Sequence, residues 1–170
     1  KTTSTERQII FDTSSAWGTP QFFNLSLSNG LFEVILKSGQ WKRVNGPAVN
    51  DGQWHHVGVV VPTNPCTLAE VQLYVNGEMQ TSVTTQGGGT TIDTTQANWP
   101  TFGAMWSQSK TYLNAQFGMV DFAGSLDELC LWTRALSGAE IRALYEGATS
   151  RAYGGVDMAA MLKRYDSPPG

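Results

Sequence analysis

Charge is scarce in this 170-residue chain: Asp, Glu, Lys and Arg together make up 15% of it, against roughly 25% in an ordinary soluble domain. The net charge is −3, and the Lys and Arg residues are scattered, with no basic stripe interleaved with aromatics. Binding a polyanion needs a concentrated positive field, so no nucleic acid is expected as a partner. Long apolar runs are missing too. Nothing approaches the ~20 residues that cross a bilayer as a helix, and no membrane insertion is expected. No secretory leader opens the sequence, which reads as a mature chain or an excised piece. Cysteine is limited to Cys66 and Cys130, too few for a disulfide framework and without zinc-type C-x-x-C spacing. Cys66 falls in a loop and Cys130 in an apolar stretch, so one partly exposed and one buried thiol is the favoured reading. A bridge between them in an oxidising compartment is the alternative.

Helix signals are almost absent before residue 135. What is there instead is Gly, Thr, Ser, Asn and Gln around short apolar runs, at 41% hydrophobic residues overall. Arg7 to Asp12 reads as a strand, and Phe23 to Ser28 alternates apolar and polar as a half-buried strand does. Asn29-Gly30 makes a tight hairpin turn, because both residues tolerate positive φ. Leu31 to Leu36 returns as its partner, and Gln40 to Val44 adds another strand. Trp54 to Val61 is apolar and β-branched, the pattern of a central strand covered on both faces. Val71 to Val75 then closes through Asn76-Gly77 into a pairing segment, Glu78 to Thr84. A short strand is expected at 101–104, and 122–132 reads as the last one. Ser137 and Glu140 form a capping box, with Ile141, Leu144 and Tyr145 on one helical face and Gly147 as the stop. A second, weaker helix is expected near Asp157 to Tyr165. Many short strands with short C-terminal helices predict an all-β, two-sheet antiparallel sandwich.

Three ordered stretches carry a family resemblance: Asn50-Asp51-Gly52-Gln53-Trp54-His55-His56-Val57, Val71 to Glu78, and Phe122 to Leu129 running on through Trp132 to Ser137 and Glu140-Ile141. Together they resemble the laminin-G-like jelly rolls of the concanavalin A-like lectin/glucanase superfamily. The resemblance implies a sandwich over 1–147 followed by an extension, 148–170, with a short helix packed on it. Trp54 and Trp132 are expected in the core. It also implies that the usual first one or two strands are absent, because Lys1 to Thr5 looks like the tail of the second. An open edge of that kind invites self-association.

Several enzymes share this fold, and glycoside cleavage needs two carboxyls on one face. The acidic pair Asp127-Glu128 is adjacent on its expected strand and faces apart, as do His55 and His56. No catalytic pattern is seen, and the chain reads as a non-enzyme. The resemblance implies an extracellular or cell-surface binding module instead. Its expected ligand is carbohydrate, and the alternative is a protein partner met through a sheet face or open strand edge. The segment from Thr84 to Gln116 is rich in Thr, Gly, Gln and Ser, the texture of a functional loop. Within it Trp99, Trp106, Tyr112, Asn98 and Asn114 combine stacking surface with amides for sugar hydroxyls. The competing reading folds Trp99 and Trp106 inward over a sheet. The family often holds a rim Ca²⁺, and the matching position is Asp127, whose carboxylate is a hard oxygen donor.

Overall fold

The computed structural model describes residues 1–13, 23–36, 40–63, 65–87, 91–92, 100–104, 115 and 118–151. Twelve strands and one helix are described: β1 (Arg7–Asp12), β2 (Phe23–Ser28), β3 (Leu31–Leu36), β4 (Gln40–Val44), β5 (Val57–Val60), β6 (Cys66–Thr67), β7 (Gln72–Val75), β8 (Glu78–Met79), β9 (Val83–Gln86), β10 (Thr91–Ile92), β11 (Thr101–Phe102), β12 (Met119–Val120) and α1 (Gly138–Arg151). The larger sheet runs β11-β1-β2-β3-β4-β9, with β12 joined to β1. The smaller runs β5-β7-β8, and β6 pairs with β10 separately.

The two Asn-Gly hairpin turns, at 29–30 and 76–77, form as their sequence dictates. Asn29 and Gly30 take φ of 52° and 76°, and Asn76 and Gly77 take 51° and 77°. Two consecutive left-handed residues match the twist of the flanking strands. The first hairpin fixes the register Leu27↔Phe32 and Leu25↔Val34. It thereby turns Leu27, Phe32 and Val34 toward the core, where they meet Leu68, Val71, Leu73 and Val75 from the other layer. Lys42 lies on the same side of β4 as Val44, paired with Val34. Its ammonium donates to the Ala69 carbonyl at 2.6 Å and to that of Val71 at 2.5 Å. Burial lowers its pKa. The long stem thus packs in the core while the amine caps two carbonyls that lead into β7.

Several expectations change here. After β8 the chain leaves the small sheet, and Val83–Gln86 pairs with β4 of the large one. The expected return strand from Glu78 to Thr84 is therefore split between layers. Strand β5 is not central, since among described residues it pairs with β7 alone and Val57 and Val59 stay half-buried. Residues 122–132 form no strand, although their alternation is strand-like. Alternation reports the faces of a strand but not a neighbour to bond with, and no described strand pairs with this one. Helix α1 continues past Gly147 to Arg151. A glycine with no left-handed turn behind it does not end a helix. The helix expected near Asp157 to Tyr165 lies outside the described residues.

Candidate functional site

The large sheet carries a buried polar face. Ser26, Glu33 and Arg43 stand directly opposite one another across β2, β3 and β4. Glu33 is fully buried. The Arg43 Nε donates to its Oε2 at 2.8 Å and the Ser26 hydroxyl to its Oε1 at 3.0 Å. Arg7 of β1 brings its Nε within 2.8 Å of Oε1. Arg43 also lies over the Trp41 ring, 4.8 Å from its centroid. On the same face Asp12 and Asn24 are buried, and with its amide oriented to donate, Asn24 reaches Asp12 Oδ1 at 2.7 Å. Two strand carboxylates therefore share this face. Sequence reasoning passed over them, and the legible signal was Glu33 between Phe32 and Val34. Glu33 is saturated by two guanidiniums, so it is held in place rather than free to meet a substrate.

The second surface is the corner after the Asn50–Gln53 turn. Asp51 Oδ1 accepts the Gln53 amide at 2.8 Å and lies 2.9 Å from His55 Nε2. These bonds, the Gln53 amide first, lower the Asp51 pKa. The Asn76 side chain spans both histidines: its Oδ1 accepts the His56 backbone amide at 3.1 Å, and its Nδ2 sits 3.2 Å from His55 Nδ1. An amide nitrogen can only donate, so His55 Nδ1 accepts and its proton sits on Nε2, facing Asp51. His56 packs 6.1 Å from the Tyr145 ring, with Nδ1 buried and unbonded. Burial lowers its pKa, and Glu128 partly opposes the shift. The two histidines do face apart, but as parts of a clamp between turn and hairpin. No cluster of three or more His, Cys, Asp or Glu side chains suited to a metal occurs among the described residues.

The third surface is the stretch where the last strand was expected. Leu129, Leu131 and Trp132 are exposed by 45%, 66% and 46%, and Glu128 takes φ of 50°. Among the described residues no backbone hydrogen bond reaches 129–133. Trp54, expected in the core, is 56% exposed: it stands just after the polar turn that Asp51 holds, ahead of β5. Trp132, also expected in the core, is likewise exposed, and no described strand pairs with its stretch. The thiols reverse their expected places. Cys66 is buried in β6 and Cys130 is exposed, and both are free.

The expected ligand-binding residues Trp99, Trp106, Tyr112, Asn98 and Asn114 lie outside the described residues. Asp127 is exposed, and its Oδ1 accepts the Glu128 amide at 2.8 Å. A Ca²⁺ takes six to eight oxygens, and no second described carboxylate joins Asp127 in a cluster.

The layers, the Asn-Gly hairpins and the clamp at the turn define a sandwich of the concanavalin type. A family model of the concanavalin A-like lectin/glucanases superfamily, in its laminin-G form, matches residues 1–142, and the chain belongs to that family. It is also similar to the sushi, von Willebrand factor type A, EGF and pentraxin domain-containing protein 1 of Rattus norvegicus, 31% identical over 113 residues, or 65% of this chain. The Mus musculus protein of the same name matches at the same identity and length. The chain spans only 3% of the length of either relative. No helix among the described residues is long and apolar enough to cross a membrane.

Proposed function

We propose that this chain is a non-catalytic binding module of an extracellular or cell-surface protein, and that it meets a protein partner through the apolar stretch 129–132. The observation that carries this reading is the exposure of Leu129, Leu131 and Trp132 on a short stretch whose backbone is unpaired among the described residues. Contiguous apolar surface on a soluble fold marks an interaction site more often than scattered residues do. The relatives, whose name joins several domain types in one chain, are consistent with a module that works beside others. The burial of Glu33 between Arg7 and Arg43 supports a structural place for that carboxylate, away from any substrate.

Carbohydrate binding is the second reading, and the aromatic and amide content of 98–114 supports it. Binding of the fluorescently labelled chain to intact cells, before and after enzymatic removal of surface glycans, separates the two. Protein recognition survives deglycosylation and is lost in Leu131→Ser. Carbohydrate recognition is lost on deglycosylation and in Trp99→Ala or Trp106→Ala. Retention in Leu131→Ser together with loss on deglycosylation would overturn the protein reading.

A further inference from the structure

Helix α1 is attached to the small sheet by few side chains, and one of its contacts is a histidine ring. Ile141 packs with Val60 of β5 and Tyr74 of β7, with Leu136 beside them. It is the one buried side chain among those described in α1. One turn on, Tyr145 lies against the bare backbone of Gly77, where an added Cβ would come within 3.0 Å of its ring. The same ring stands 6.1 Å from that of His56. Asn76 Oδ1 accepts the His56 backbone amide at 3.1 Å, which fixes the residue beside the helix. The His56 Nδ1 is buried without a hydrogen bond. The ionisable groups around it are accounted for. Tyr145 faces it from α1, whose Arg142 pairs with Glu146 and with Glu78 of β8. Glu128 is the carboxylate whose field reaches the ring, and Asp51 is engaged by His55.

We propose that His56 is a proton-operated catch on α1: with a neutral ring the helix stays docked, and with a protonated ring it lifts off the small sheet while the large sheet stays folded. This goes beyond the binding reading and does not rest on it. A neutral imidazole can leave one nitrogen as an unused acceptor, but in the imidazolium both nitrogens are donors. Protonation therefore turns buried Nδ1 into a donor with nothing to receive its hydrogen, and water reaches it only when Tyr145 withdraws. The Tyr145 ring, at the outer limit for a cation–π contact, returns little of that cost. Burial lowers the docked-state pKa and Glu128 opposes it only in part. The undocked ring, in water, takes its proton near the ordinary value of about 6.5, so acidification below that favours the undocked state. The helix gives way first because Ile141 alone anchors it by full burial, whereas β2 and β3 carry Leu27, Phe32 and Val34 in the core. Lifting α1 uncovers Val60 and Tyr74.

Amide hydrogen exchange on the full chain at pH 7 and 5.5, corrected for intrinsic rates and repeated in low urea, tests this. Protection of α1 is expected to be lower than that of β2 and β3 and nearly insensitive to urea, the mark of a local opening. It should fall at least about threefold from pH 7 to 5.5. The fall should vanish in His56→Gln and in His56→Phe, which keeps a ring against Tyr145, with circular dichroism verifying that each variant folds. In Glu128→Gln, which removes the carboxylate that favours the imidazolium, the fall should move to lower pH. Equal protection and equal urea sensitivity in α1 and in β2 and β3 overturns the proposal, since the helix then opens only with the whole molecule. So does α1 protection that is unchanged between the two pH values, or a fall that persists in both His56 variants.

Discussion

Single side chains explain why two separated sequence motifs belong together. Asn76 holds the His56 amide with its oxygen and approaches the His55 ring with its nitrogen, while its own backbone stays left-handed. Asn76→Ala removes both contacts and places a Cβ-bearing residue without a polar handle in that conformation. The expected loss is about 2–3 kcal/mol, from two hydrogen bonds of about 1 kcal/mol each plus local backbone strain. Asn76→Gly keeps the conformation and should lose less, and urea unfolding of both variants measures the difference. His56 carries a pH signature. Burial holds its folded pKa below the ordinary value, so on acidification through about 6.5 the unfolded chain takes a proton before the folded one does. Stability should fall as pH drops from about 6.5 toward the folded pKa, and His56→Gln should flatten that part of a stability-against-pH curve.

At the level of elements, local chemistry was readable wherever it was self-sufficient. β1 to β4 begin and end where the alternation and turn residues put them, because Asn29-Gly30 fixes one register and leaves the core face no alternative. The start of α1 is equally local: the Glu140 amide donates to the Ser137 hydroxyl at 3.3 Å, and the Ser137 amide to Glu140 Oε2 at 2.8 Å. Arg134 adds a 2.5 Å contact to Oε1. Arg134 and then the Ser137 amide hold the Glu140 carboxyl down to about 2. A depressed carboxylate stabilises above its unfolded pKa and loses that contribution as pH falls through the folded one. The helix start should therefore weaken between about pH 4.5 and 2, followed by the α1 amide shifts in NMR, and Glu140→Gln should remove the transition. Ser137→Ala should cost about 1 kcal/mol at neutral pH, read from thermal or urea unfolding. Elements that need a distant partner were not readable. The 122–132 stretch has the alternation of a strand, yet strand formation depends on a neighbour that its own residues do not specify. The transfer of Val83–Gln86 to the large sheet also hinges on β4, some forty positions earlier in the chain.

For the whole molecule, the two layers share one core and differ in closure. The large sheet is long and continuous, whereas the small one has three described strands, with β5 and β8 at its ends. The fold class was legible because hairpins and apolar alternation repeat along the chain. The site was legible only in part: Glu33 and Asp12 became neighbours through pairing over β2, and the exposure of Trp54 and Trp132 depends on what does not cover them. Replacing Leu131 and Trp132 together by Ser should leave the melting temperature within about 4 °C, because partly exposed residues contribute little to burial. The same variant should bind much less of a hydrophobic dye, and fluorescence titration against the parent chain measures that.

The three Asn-Gly dipeptides also set how the molecule ages: Asn45, before Gly46, has its amide engaged by the Ser82 and Thr84 hydroxyls. In this dipeptide the glycine nitrogen can attack the asparagine side-chain carbonyl carbon, expelling ammonia and leaving an acidic residue after hydrolysis. Asn76 has both ends of its amide engaged by the histidine clamp. Asn29 is exposed, and no hydrogen bond holds its side chain among the described residues. Chemical wear therefore starts at the hairpin that organises the large sheet, while the clamp that ties turn to hairpin in the small sheet doubles as its preservative.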